Sequence, residues 1–483
     1  MRVARLVGLG MCWLGLLVLT APVRAEVTIR INNVDAVEVG LNDPAPLSPV
    51  GGNPGRTLGE QRLNVLRLAA ELWSGLLEGD VNIVIQATFQ SLPCSPTTAV
   101  LGAAGPIRVF ANFPATSIDA DTWYPAALAN QLAGFDLHPG RAAAELLKPP
   151  FQDDIVVYFN GKVDDNSACL PGNWYYGFDN APAAGDIALL NVAMHEFAHG
   201  LGLTSLIDET SGQTPLDLPD RYAVFSLNTT TDKHFHEMNA EELLDAQVSR
   251  DHIVWDGPAT TRAARDILDW QAELIVEAPP GLAGTYPVTR ADFGPAPDVE
   301  ETYVGVELVN DRIGDSTDGC EPLEQKLRGR IAFINRGNCP FALKVAHAEA
   351  AGASAAVIRN TEPGGALIMD APHSQGRIPA VSISHHHGDG LLAALPRTDV
   401  RAALRLNPKR LVGADPNGFV RLYAPDPVEP GSSIAHIDPS ASPDLLMEPF
   451  LSVDLDAAND VDLTPFLLKD LGWRLAEEAD ESD

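Results

Sequence analysis

The sequence predicts an α+β chain of mixed α/β character, and three features of its apolar pattern carry that prediction. Apolar residues follow strand-like patterns over Val27–Asn32, Val81–Phe89 and Asp154–Phe159. They recur at helical spacing through Leu58–Leu77, where Leu63, Leu66, Ala70 and Trp73 share a face. Beyond a change of composition near Gly281–Pro287, a second series alternates strand and helix: Gly329–Phe341, Lys344–Gly352, Ala355–Arg359 and Ile378–Ile383.

Taken from the start, Met1–Ala25 has the make-up of a secretory leader. Arg2 and Arg5 precede an almost wholly apolar run from Leu6 to Leu19, and Val23–Ala25 offers a small-residue cleavage site. The mature chain then begins near Glu26 and is secreted, to the periplasm or outside the cell. No later segment approaches the roughly 18 consecutive apolar residues of a membrane span, so stable membrane insertion is not expected. With 483 residues the chain is long enough for two or three domains.

The formal charge is −32, which argues against nucleic acid as a partner. Such acidity could hold structural Ca2+ but identifies no site for it. After the leader come Cys94, Cys169, Cys320 and Cys339, an even number in an exported chain. Three pairings are possible, and their distribution favours Cys320 with Cys339 and Cys94 with Cys169. None has the Cys-x-x-Cys spacing of a sulfur-bound zinc site.

The chemistry concentrates at His195-Glu196-Phe197-Ala198-His199. Residues four apart on a helix share a face, so His195 and His199 can turn their ring nitrogens to one Zn2+. Glu196 then stands to one side, where it can take a proton from water as general base. Asp186 is placed to begin this helix, and glycines soon after His199 end it. A catalytic zinc normally takes three protein ligands, yet the position six residues beyond His199 is Ser205. Two candidates remain. Glu241 lies in a Glu-x-x-x-Asp segment ending at Asp245, and His436 is followed by Met447, as a Met-turn requires. The second is favoured.

The set His195, Glu196, His199, Gly202, His436 and Met447 resembles the leishmanolysin branch of the metzincins. More closely, the chain is similar to bacterial secreted metallopeptidases that carry an inserted protease-associated domain, through Trp174–Asp179, Gly431–Asp438 and Asp462–Trp473. The middle series resembles the protease-associated domain itself, through Cys320–Leu323, Gly329–Phe341, Lys344, Ala351–Ala353 and Ile378–Ala380. The resemblance implies a metzincin-like zinc peptidase domain over 26–282 and 408–475, interrupted by a small α/β protease-associated domain at 283–407, with an acidic tail at 476–483. It also implies one catalytic Zn2+, protein or peptide substrates, and hydrolysis by activated water. The rival is a non-catalytic binding or adhesion protein derived from such a peptidase.

Other features have plainer readings. His385–His387 reads as a solvated loop tract, Asp415–Gly418 as a turn, and His234 with His236 as surface. Trp174, Tyr175 and Tyr176 either line a cleft or pack against the histidine helix. The sequence is silent on oligomeric state and cleavage specificity.

Overall fold

The computed structural model describes residues 26–137, 153–165, 169–369, 376–452, 455–459 and 462–476. The leader Met1–Ala25 and the tail from Glu477 onward lie outside the described residues. The chain divides into two units: Met1–Ala120, Tyr124–Gly202 and Gly472–Asp483 form one, and Asp121–Trp123 with Leu203–Leu471 the other.

The first unit is built on a four-stranded sheet. Strands β1 (Ile29–Asn33), β2 (Ile83–Gln90), β3 (Gly102–Pro106) and β4 (Ile155–Asn160) stand in the order β1-β2-β4-β3. The pairs β1 with β2 and β2 with β4 are parallel, while β3 runs antiparallel along the edge. In β2 and β4 the predicted alternation places Ile83, Ile85, Ala87, Ile155, Val157 and Phe159 in the core.

Helix α1 (Leu58–Leu76) begins where Thr57 and Glu60 form a reciprocal capping box. It buries Val65, Leu66, Ala69, Ala70 and Trp73, and the Trp73 indole donates to the Met194 carbonyl at 3.1 Å. After a short helix α2 (Ala126–Ala133) comes α3 (Leu189–Leu201), the histidine helix. Twelve of its thirteen residues are buried, so its place is set by packing on both sides. Gly200 permits the approach to β4, since a Cβ there would lie 2.2 Å from Ile155 Cγ2. The helix ends at Gly202, whose φ of 138° is a conformation L side chains rarely adopt.

Asp186 does not start this helix. Its Oδ1 accepts from the Asn173 N–H at 2.9 Å, and the chain passes through an extended pair, Ile187–Ala188, before α3 begins with no side-chain cap.

In the second unit, β5 (Ser226–Asn228), β6 (Lys233–His234), β7 (Ile253–Trp255) and a later strand, Val420–Arg421, form a small antiparallel sheet. Between them lies α4 (Ala240–Ala246), and α5 (Pro258–Ile267) follows. The N-terminus of α5 has no cap of its own. Asp470, from α8 (Thr464–Leu471), accepts from the N–H groups of Ala259 and Thr260, the Thr260 hydroxyl and the Trp255 indole, at 2.7 to 3.1 Å.

The same unit holds a closed barrel. Its strands are β8 (Trp270–Ala278), β9 (Gly284–Arg290), β10 (Val304–Leu308), β11 (Ile331–Asn335), β12 (Ala355–Arg359), β13 (Ala380–Ile383) and β14 (Val400–Leu411). Helix α6 (Phe341–Ala350) joins β11 to β12, and α7 (His385–Ala394) follows β13. Strands β10 to β13 pair in parallel where they adjoin, and β14 closes the ring against both β8 and β10.

Both faces of the central strands are covered. Ile331, Phe333 and Val357 belong to one apolar cluster, and Ala332, Ile334 and Ile358 to another that includes Val345 and Ala348 of α6. This explains why these strands read as continuous apolar runs. The barrel extends from Trp270 to Leu411, beyond the 283–407 expected from sequence, because the long β8–β14 pair carries mixed polar and apolar residues and shows no change of composition where it begins.

His385–His387 opens α7 and is not a loop. The Ser384 hydroxyl caps the helix by accepting from the His387 N–H.

Candidate metal centre

Within the first unit, His195 and His199 lie one turn apart on α3, their Nε2 atoms 3.1 Å apart. Two imidazole nitrogens bound tetrahedrally at about 2.0–2.1 Å from one ion would stand about 3.3 Å apart, so the pair fits a shared Zn2+. His199 is 8% exposed and Glu196 6%. Burial pushes the Glu196 carboxyl up to about 8. A bound dication would act the other way, favouring the carboxylate.

The space for that carboxylate is made by a glycine that the sequence reading did not single out. A Cβ on Gly102, at the start of edge strand β3, would lie 2.6 Å from Glu196 Oε1. The only signal in sequence is the small-residue run Gly102–Gly105.

The aromatic segment before the helix has a structural role. The Trp174 indole donates to the Asn160 carbonyl at 2.8 Å, and Trp174–Tyr175 pairs with Ile187–Ala188 immediately before α3. The Tyr176 hydroxyl bonds to Asp164 and accepts from Arg62 Nε, while the Arg62 guanidinium also pairs with Asp164 at 2.7 Å. Burial raises the Tyr176 pKa, which keeps this hydroxyl protonated. The network ties α1 to the segment that leads into the histidine helix.

Within the second unit, His436 is 5% exposed. Its Nδ1–H donates to the Ser432 carbonyl at 2.8 Å, which fixes the tautomer and makes Nε2 the ring's acceptor nitrogen. The next residue, Ile437, donates its N–H to the carbonyl of Met447, itself 1% exposed. Ser205 faces Asp220 at 3.5 Å. Glu241 is exposed on the first turn of α4, and it belongs to none of the acid and histidine groupings able to hold an ion among the described residues.

His234 bonds to Asp256 at 2.8 Å, and Asp415 accepts from the N–H groups of Asn417 and Phe419 as a turn does. Both favoured disulfides are present, Cys94–Cys169 and Cys320–Cys339. No helix among the described residues is long and apolar enough to cross a membrane.

Comparison with known proteins identifies a PA domain over residues 304–391, inside the barrel. A PRADC1-like protein of Drosophila melanogaster is 33% identical over 150 residues, 29% of this chain and 72% of that protein. Signal peptide peptidase-like 2 of Arabidopsis thaliana is 35% identical over 96 residues, 19% of this chain; the match spans only 18% of that relative's length. Among solved structures, an aminopeptidase from Aneurinibacillus sp. strain AM-1 is 23% identical with a TM-score of 0.24, covering 29% of this chain and 31% of the other. A zinc aminopeptidase from Bacillus subtilis is 19% identical with a TM-score of 0.22, covering 31% and 35%.

Proposed function

The chain belongs, through its PA domain, to the family of PRADC1-like proteins, and from that premise we propose that the remainder makes it a secreted zinc metalloendopeptidase of leishmanolysin-like, metzincin type. The PA barrel, Trp270–Leu411, is then an insertion between two parts of the peptidase domain, which end at 269 and resume at 412 instead of the 282 and 408 expected from sequence. His195, His199 and His436 would hold the ion, and Met447 would support them by packing.

The observation that carries this reading lies within the first unit: the Nε2 atoms of His195 and His199 stand 3.1 Å apart, one turn apart on α3, and Glu196 on the same helix is buried. With His436 as the proposed third ligand, three neutral imidazoles would make a zinc ligand set that leaves a position for water.

Bound zinc would supply a Lewis acid for the scissile carbonyl and lower the pKa of water towards about 7. Glu196, held in the space beside Gly102, accepts the proton of the attacking water and passes it to the leaving amine. Its burial excludes competing solvent and strengthens its electrostatic effect on the reacting groups.

The test is digestion of casein or gelatin by the full chain. Activity abolished by a chelator and restored by zinc supports a peptidase; a protein that binds zinc without cleaving either substrate supports the binding or adhesion reading instead.

A further inference from the structure

A second group of possible metal ligands lies within the second unit, in the segment that follows β10. Asp311, Asp318 and Glu321 each bring one carboxylate oxygen within 4.8 Å of the others. Asp311 is 4% exposed and Asp318 3%, while Glu321 is half-buried. Like charges held this close repel, and burial makes the repulsion stronger.

Part of this charge is satisfied locally. Asp311 Oδ1 accepts from the Ile313 N–H at 3.2 Å, and Asp318 Oδ1 accepts from the Cys320 N–H at 3.0 Å. Asp311 Oδ2 is different: it is sealed from solvent and meets no hydrogen-bond donor among the described residues. A buried carboxylate oxygen in that state is costly unless a cation completes it.

Lys344 does not do so by contact. Fully buried, it donates to the Asp318 carbonyl and to Cys320 Sγ. Its single charge also faces Asp315 along with the three clustered acids, so the group retains a net negative charge.

The surrounding backbone holds the cluster in shape. The Cys320–Cys339 disulfide anchors Cys320, the residue next to Glu321 and two beyond Asp318. Gly337 leaves room for Asp318, since a Cβ there would lie 2.5 Å from Asp318 Oδ2.

We propose that Asp311, Asp318 and Glu321 form a calcium site on the PA domain, separate from the histidine centre. An all-carboxylate set of hard oxygen donors suits Ca2+, whereas Zn2+ prefers nitrogen and sulfur. Bound calcium would stabilise the folded state, because the unfolded chain does not bring these three residues together.

The experiment uses the full chain, stripped with EDTA and dialysed, in thermal unfolding and calorimetric titration with CaCl2. The wild type should gain several degrees in Tm at millimolar CaCl2. Asp311→Asn should lose that gain, and its metal-free Tm should rise above that of the metal-free wild type, since an uncompensated buried charge has gone. Glu321→Gln, at the half-buried edge, decides the matter if the first variant folds poorly; it too should lose the gain.

Absence of any calcium-dependent Tm shift and binding heat in the wild type overturns the site. So does a full shift retained in the variants. Zinc content, measured in the same variants without EDTA treatment, should be unchanged, so failure here is distinguishable from failure of the peptidase reading.

Discussion

Gly102 and Glu196 are matched across the first unit: the missing side chain of one is the space occupied by the carboxylate of the other, with a virtual Cβ only 2.6 Å from Oε1. The Glu196 carboxylate, the proposed base, is therefore positioned by an edge strand as much as by its own helix. Gly102→Ala should displace the carboxylate and lower kcat by roughly a hundredfold, the scale of a misplacement of about 1 Å. Zinc content should stay near wild type. Normal turnover in that variant would show that the strand does not position the base.

Glu196→Gln tests the proposed base directly. The amide nearly preserves the shape of the side chain and cannot accept the proton, so we expect zinc to remain bound and peptidase activity to fall by roughly 10² to 10⁴. Metal analysis beside the casein assay separates lost chemistry from lost metal.

Asp470 caps α5 from a distant part of the same unit. It satisfies four donors and is 7% exposed. Asp470→Ala strands the Ala259 and Thr260 N–H groups and the Trp255 indole at once. Denaturant unfolding should register a loss of about 3 kcal/mol or more. A loss below about 1 kcal/mol would mean that water replaces the cap.

Glu448 makes stability depend on pH. Burial first, then the neighbouring Asp444, Asp438 and Asp462 carboxylates, push its carboxyl up to about 8, against the hydrogen bond from Leu445. The folded state thus holds a proton that the unfolded state releases near its ordinary value of 4.5. Its contribution is complete below that value and is lost as pH rises through about 8. The slope within this window is about 1.4 kcal/mol per pH unit for this one group. Glu448→Gln keeps an acceptor for Leu445 and should flatten the fall in Tm between pH 5 and pH 8. An unchanged profile would remove Glu448 as its cause.

Several features were legible in the amino-acid sequence because their causes are local. The strand periodicity of Ile83–Gln90, the amphipathic face of Leu58–Leu76 and the four-residue histidine spacing each follow from the geometry of a single element. An even cysteine count beyond the expected leader similarly anticipated two disulfides. The PA pattern was readable because the parallel strands β11 and β12 and helix α6 lie close together in sequence.

Only the tertiary structure decided what depends on partners far along the chain. Asp186 resembles a helix start, yet Asn173 claims its carboxylate. His385–His387 resembles a solvated tract, yet Ser384 and the preceding barrel strand set it at the head of a helix. The barrel's first strand pairs with its last, and the remote Asp470 caps α5. Local sequence specifies which residues want a strand, a helix or a donor; which distant group meets that demand is settled only when long-range packing outweighs the entropy of bringing the chain together.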